Sequence, residues 1–290
     1  MRIFDYKVVG DCTIRADVHE VSDVGVHPVI VFIHGGCLMM GNRGGHLTPI
    51  KLLTDAGYNV VSIDYRLAPE TKLEHIIEDL RDAFRWVREE GGNLFHIDPN
   101  RIGVMGESAG GYLTLMSGFV ADPPPKALVS LYGYSDIDGP WYSKPDPFYR
   151  RQPLVQESSA RNSVGSRTIS ESISPHNRRL FYLYCRQNGL WPKEVVGLDP
   201  ESSPRSFDPF CPIRNITPRY PPTILLHGDQ DTDVPYEQSV NMAKGLEKAG
   251  VSHRLVTILG RGHSFDDAGL SDPVVADAFQ QVLAFLKLYV

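Results

Sequence analysis

Cysteine is scarce in this chain and badly spaced for chemistry: Cys12, Cys37, Cys185 and Cys211 stand far apart, with no Cys-x-x-Cys pair among them. That excludes a zinc knuckle or a dithiol redox motif and predicts buried free thiols. Long apolar runs are missing too. No stretch approaches the roughly 18 uninterrupted apolar residues of a membrane-spanning helix, so no membrane span is expected. Positive charge is not in surplus: a net charge of -6, with both signs interspersed, leaves no basic stripe for a phosphate backbone and argues against nucleic acid as a partner. Residues 1–10 carry Asp5 and Lys7 where a signal peptide needs an apolar core, which argues against export by that route. Together these absences predict a reducing, cytoplasmic setting. The 42% hydrophobic and 22% charged content is that of a globular protein, and 290 residues suffice for a full core in one large or two small domains.

Short β-branched runs alternate with longer amphipathic stretches along the chain. That pattern predicts an α/β fold, a mostly parallel eight-stranded twisted sheet with helices on both faces. The expected strands are residues 2–9, 13–21, 28–33, 60–64, 101–105, 127–132, 223–227 and 253–259, the first two as an exposed antiparallel pair. Residues 74–90 place Ile76, Leu80, Ala83, Phe84 and Val87 at helical spacing, with Gly91 and Gly92 read as the stop. Residues 136–219 break the alternation, being rich in proline and without a clear strand, and 157–174 is rich in serine and polar residues. A structureless loop of that length is improbable in a compact domain, so residues 136–219 are read as a helical cap with a mobile portion, inserted into a core of residues 1–135 and 220–290. Its aromatics, Trp141, Tyr142, Phe148, Tyr149, Phe181, Tyr182, Tyr184 and Trp191, either line a substrate cavity or pack the cap onto the core; for any one of them packing is the commoner role.

The chemistry concentrates in a few loops. Gly106-Glu107-Ser108-Ala109-Gly110 lies between a buried strand and an apolar helix, residues 112–120, which is the setting of a nucleophile elbow. Its glycines permit a sharp turn that lifts the serine hydroxyl out of the sheet at a helix N-terminus, whose positive end favours developing negative charge. A serine hydroxyl is a poor nucleophile at neutral pH and needs a positioned base, itself oriented by a carboxylate. In this fold the order along the chain is serine, acid, histidine. After the seventh strand come Asp229, Asp231 and Asp233, and after the last comes Gly260-Arg261-Gly262-His263. His263 is the one histidine in a glycine-flanked loop beyond the final strand, whereas His227 precedes its loop and His19 and His253 lie within strands. Spacing does not separate the three aspartates. They do not form an EF-hand either, because Val234 and Val240 occupy the positions that need glycine and glutamate, so no metal is expected. The third strand runs into His34-Gly35-Gly36-Cys37-Leu38, where small residues let backbone N–H groups face a carbonyl oxygen.

These motifs resemble the hormone-sensitive-lipase-like esterase branch of the α/β-hydrolases, across nearly the whole chain apart from the cap. His34-Gly35-Gly36-Cys37 with Gly41 is similar to that family's HGGG-x-x-x-G loop, Asp64-Tyr65-Arg66-Leu67-Ala68-Pro69-Glu70 to its DYRLAPE signature, and His227-Gly228-Asp229-Gln230-Asp231-Thr232-Asp233-Val234-Pro235 to its HG-x-x-D-x-x-VP. The resemblance implies Ser108, Asp231 and His263 as catalytic residues, and an oxyanion hole at Gly35, Gly36, Cys37 and Ala109 with the amides of Gly36, Cys37 and Ala109 as donors. Leu38, Trp141, Tyr142 and Glu107 are the candidate substrate contacts. Cys37 departs from the family, standing where a third glycine is usual; its amide still donates, but its Cβ narrows the pocket.

The resulting expectation is a serine hydrolase of carboxylic esters that works through an acyl-enzyme, on a small-molecule ester or acyl substrate and with no cofactor. Thioester, lactone or amide cleavage, including release of a polyketide acyl chain from a carrier, would use the same residues. A non-catalytic ligand-binding protein and a structural protein with a degenerate site are opposed by the intact set of three. The sequence leaves a homo-oligomer open.

Overall fold

The computed structural model describes residues 1–45, 47–172 and 175–290. Its strands are β1 (Arg2–Val9), β2 (Cys12–His19), β3 (His27–Ile33), β4 (Asn59–Ile63), β5 (Ile97–Glu107), β6 (Ala127–Leu131), β7 (Thr223–Gly228) and β8 (His253–Ile258). They form one open sheet in the order β1-β2-β4-β3-β5-β6-β7-β8. From β4 to β8 every neighbouring pair is parallel, while β1 and β2 are antiparallel to each other and β2 to β4. All the expected strands are present, with β5 beginning at Ile97 rather than Arg101.

Strand alternation divides the core in two. On β3, Val29, Val31 and Ile33 belong to one face and Ile30 and Phe32 to the other, all at most 1% exposed. Parallel strands covered on both faces need this continuous apolar sequence. The first face packs against α2 (Leu73–Phe95), α3 (Ala109–Val120) and α8 (Glu237–Lys248), and the second against α1 (Leu47–Asp55) and α9 (Pro273–Tyr289).

The expected stop at Gly91 and Gly92 is corrected by the structure. Helix α2 passes through both glycines to Phe95 and ends at His96, whose φ of 53° is left-handed. A Cβ on Gly91 would stand 2.7 Å from Ile97 Cδ1 and 2.9 Å from Phe95 Cε2, so this glycine serves close packing. Its unfavourable helix propensity, about 1 kcal/mol relative to alanine, is offset by the burial of Phe95.

Between β6 and β7 the chain forms α4 (Pro140–Ser143), α5 (Glu157–Arg161), α6 (Pro175–Asn188) and α7 (Trp191–Val196), with no strand among the described residues. The end of the serine-rich run, residues 173–174, lies outside the described residues. The ring of Tyr142 stacks between Trp141 and Trp191, with centroids at 3.7 and 4.1 Å. Tyr142, Tyr149, Phe181, Tyr182 and Trp191 are buried, whereas Phe148 is exposed. Most of these aromatics therefore pack the insertion. They surround Arg186, whose guanidinium faces the rings of Tyr149, Tyr142, Trp141 and Tyr182 at 4.6 to 5.7 Å.

The glycines of the elbow are explained by close approach. A Cβ on Gly110 would stand 2.0 Å from the carbonyl oxygen of Ile33, and one on Gly106 would stand 2.4 Å from that of Gly110. Because both obstacles are backbone, α3 can lie this close to β3 and β5 only with hydrogen at these positions. Gly110→Ala is therefore expected to lower the stability by about 3 kcal/mol or more, read from the urea midpoint; an unchanged midpoint would mean that α3 moves freely away from β3.

Candidate active site

Ser108 stands between the end of β5 and the start of α3, which it caps, with φ 51° and ψ −117°. A non-glycine residue there costs of order 1–3 kcal/mol and persists only where its surroundings hold it. They do: its amide donates to Leu131 O on β6 at 2.9 Å, and its carbonyl accepts from Tyr112 N at 2.9 Å. With that carbonyl pointing along α3, the Ala109 N–H projects from the N-terminus of the helix.

Because β5, β7 and β8 are parallel, the loops after them share one edge of the sheet. His263, in the turn after β8, has Nε2 3.0 Å from Ser108 Oγ and Nδ1 2.6 Å from Asp231 Oδ2. Asp231 follows β7, and its carboxylate is fully buried. Its Oδ1 accepts the amides of Asp233 at 2.8 Å and Val234 at 2.9 Å, while Oδ2 also accepts from His227 Nε2 at 3.1 Å. Burial alone would raise the carboxyl pKa, but the hydrogen bonds and charge of His227 and His263 hold it well below the usual carboxylate range. For His263, burial pulls the imidazole down. The hydrogen bond it donates to Asp231 and the charges of Asp233, Asp231 and Glu107 outweigh it, so the pKa lies above its ordinary value.

The three aspartates left open by spacing have separate partners. Asp229 accepts the Gly260 amide at 2.6 Å. Asp233 Oδ1 accepts from Tyr149 Oη at 2.8 Å, Arg186 at 2.7 Å and Tyr182 Oη, while its Oδ2 lies 3.7 Å from His263 Nε2. Among the described residues, no group of three His, Cys, Asp or Glu side chains converges to hold a metal ion.

The loop after β3 faces this constellation. A Cβ on Gly35 would meet Ser108 Cβ at 3.3 Å, and one on Gly36, with φ 102°, would meet Met40 O at 2.0 Å. Gly35 O accepts from His34 Nδ1 at 2.7 Å and Tyr65 Oη at 3.3 Å, and Gly36 O accepts the amides of Met39 and Met40, both at 2.9 Å. In a trans peptide N–H and C=O point in opposite directions, so the Gly36 and Cys37 amides face away from these anchors. Cys37 and Leu38 both have left-handed φ, 60° and 62°. The Cys37 carbonyl accepts from Trp191 Nε1 at 3.1 Å, the Leu38 carbonyl from Ala68 N at 2.8 Å, and the Met39 carbonyl from Arg178 Nε. The DYRLAPE turn and the insertion thus hold this loop together.

Residues 17–246 match the BD-FAE family model. The chain belongs to the BD-FAE family. Its fold is that of the α/β-hydrolases. A Pyrobaculum calidifontis esterase is similar at 26% identity and TM-score 0.69, covering 95% of this chain and 80% of that one. A Staphylococcus aureus protein of unknown function has 25% identity and TM-score 0.75, covering 96% and 95%. Among curated relatives, the non-reducing polyketide synthase Preu6 of Preussia isomera is 29% identical over 92% of this chain, which spans only 14% of the length of that synthase.

In this BD-FAE protein the four candidate substrate contacts fall in different places. Leu38 and Tyr142 are buried, at 0% and 1% exposure, inside the core and the insertion. Trp141 is half-buried and donates its indole N–H to Asp136 at 3.0 Å. Glu107 lies beside the site, its Oε2 3.4 Å from Tyr132 Oη. Tyr132, not singled out in the sequence, packs its ring against His263 at 4.7 Å and donates to Asp266 at 2.7 Å. Burial, then the Glu107 charge, pushes the Asp266 carboxyl up to about 6. The Cys37 thiol is buried, which pushes its pKa up; a hydrogen bond with Tyr182 acts the other way.

Trp191→Phe keeps an aromatic ring against Tyr142 but removes the donor to the buried Cys37 carbonyl. The expected loss of stability is about 1–3 kcal/mol, with faster hydrogen exchange at the amides of residues 36–40. Exchange unchanged in that segment would separate Trp191 from the loop.

Proposed function

We propose that the protein is a serine hydrolase of carboxylic esters, with Ser108 as nucleophile, His263 as general base and acid, and Asp231 as the residue that orients His263. The continuous chain from Ser108 Oγ through His263 to Asp231, at 3.0 and 2.6 Å, carries this reading. Nδ1 of His263 faces a carboxylate and so bears the hydrogen, which leaves the Nε2 lone pair directed at the hydroxyl. Ser108 Oγ attacks the ester carbonyl carbon as Nε2 takes the hydroxyl proton, and the carbonyl π electrons move to oxygen. The Gly36, Cys37 and Ala109 amides stabilise that oxyanion, each such donor being worth about 3 kcal/mol. Collapse expels the alcohol, which takes the proton from Nε2; a water molecule then repeats the sequence on the acyl-enzyme. The residues between β6 and β7 are read as the cap over this site. The likeness to the Pyrobaculum calidifontis esterase supports ester cleavage.

A second reading, cleavage of an acyl thioester with release of the chain from a carrier, is favoured by the likeness to a segment of polyketide synthases. The same residues would perform it.

The test is hydrolysis of a chain-length series of p-nitrophenyl esters, and of matching acyl thioesters, by the wild type and Ser108→Ala, with a fluorophosphonate probe in parallel. Turnover and labelling are both expected to vanish in Ser108→Ala while its fold persists; esterase activity retained in that variant would overturn the assignment. Turnover of thioesters alone would favour the second reading. Because His263 must be neutral to act as base and its pKa is raised, the acid limb of kcat/KM is expected to have its midpoint above about 6.5. A flat profile from about pH 8 to about pH 5 would count against His263.

A further inference from the structure

We infer that His227 is a positioning residue of the same site, holding the Asp231 carboxylate from behind; this rests on the reading of Ser108, His263 and Asp231 given above. His227 lies in β7 and is completely buried. Its Nε2 stands 3.1 Å from Asp231 Oδ2 and 3.1 Å from Val234 O. Both partners are acceptors, so Nε2 carries the hydrogen and shares it between them. Its Nδ1 is 2.7 Å from Ser239 Oγ, a buried hydroxyl on α8 that donates to it. The tautomer is therefore set by position, and the ring serves as a fixed donor to the oxygen that also receives His263 Nδ1–H.

The consequence is mechanical. Asp231 Oδ1 is held by two backbone amides, and Oδ2 by one histidine on each side, so all the donors to the carboxylate come from fixed groups. Without His227, Oδ2 keeps only His263, and rotation of the carboxylate about the bond to Cβ is restrained by the two amides on Oδ1 alone. His263 would turn with it and Nε2 would lose its line to Ser108 Oγ. The chain Ser108–His263–Asp231–His227–Ser239 thus runs from the elbow through the sheet edge into α8, and His227 acts on the reaction only through Asp231.

The experiment compares His227→Phe, His227→Gln and Ser239→Ala with the wild type by kcat and KM on a p-nitrophenyl ester, by the acid limb of kcat/KM and by the rate of fluorophosphonate labelling. The charged groups bearing on His263, which are Asp231, Asp233 and Glu107, stay unchanged in every variant. Phenylalanine fills the space without a donor; kcat and the labelling rate are expected to fall on the order of 10²-fold, as for a misplaced catalytic group, with KM within about twofold. Glutamine places an amide N–H near the position of Nε2 and is expected to recover most of kcat. Ser239→Ala releases the tautomer and should fall between them. If His227→Phe does not fold, the Ser239→Ala and His227→Gln pair carries the test. A folded His227→Phe with wild-type kcat and acid limb, equal loss in the phenylalanine and glutamine variants, or wild-type kcat in Ser239→Ala where His227→Phe is not folded, would overturn the inference. Ser108→Ala in the same assay separates the two failures: if it stays active the triad itself is wrong, whereas if it is dead and His227 is dispensable only the role of His227 falls.

Discussion

Everything at the candidate site is measured from one close backbone contact, the first turn of α3 resting on the carbonyls of Ile33 and His34 at the end of β3. At Gly110 there is no room for a methyl group. That contact brings the end of β5 beside the loop after β3, so that Ser108 and the Gly35–Gly36 segment become neighbours although they are far apart in the chain. The strained Ser108 backbone is tolerated because the turn is braced from three sides, by Leu131 on β6, by Tyr112 in α3 and by the loop itself. A looser approach would relax Ser108 and open the site together.

The second dependence is on the residues between β6 and β7. Trp191 and Arg178 hold the carbonyls of Cys37 and Met39, and Arg186 pairs with Asp233 in the loop that carries Asp231. Arg186 also pairs with Asp146 and is enclosed by aromatic rings, which is how a cation that is only 1% exposed is compensated. Both loops of the proposed site are therefore tied to helices of the insertion. The segment thereby braces both loops, and the left-handed Cys37 and Leu38 persist because their carbonyls are anchored from outside the loop.

Much of this was legible in the residues. Largely apolar, β-branched runs identify buried parallel strands because burial on both faces leaves few polar positions, and the strands lie where that pattern puts them, with β1 and β2 as the alternating antiparallel pair. Ser108 and His263 stood out as candidates because turn chemistry is local: glycines around a serine between strand and helix, and glycines around a histidine after the last strand. The acid was not legible from spacing, since Asp229, Asp231 and Asp233 all occupy one short loop, and resemblance alone chose among them. Gly91 and Gly92 misled because glycine in a helix reads as a stop unless the neighbour that needs its space is known, and that neighbour, Ile97, comes from the next strand.

By itself the sequence determined the element types, their alternation, and which loops carry the candidate side chains, because hydrophobic period and turn propensity act over a few residues. Only the tertiary structure decided partners. It assigned Asp231 to His263, Asp233 to Arg186 and Asp229 to Gly260, turned the aromatics of the insertion inward around one arginine, and brought His227, which looks like an ordinary strand residue, against the carboxylate of Asp231. These pairings span from 4 residues, between His227 and Asp231, to 47, between Arg186 and Asp233. No local rule carries such information, because each contact exists only once the sheet has set the loop positions along its carboxyl edge.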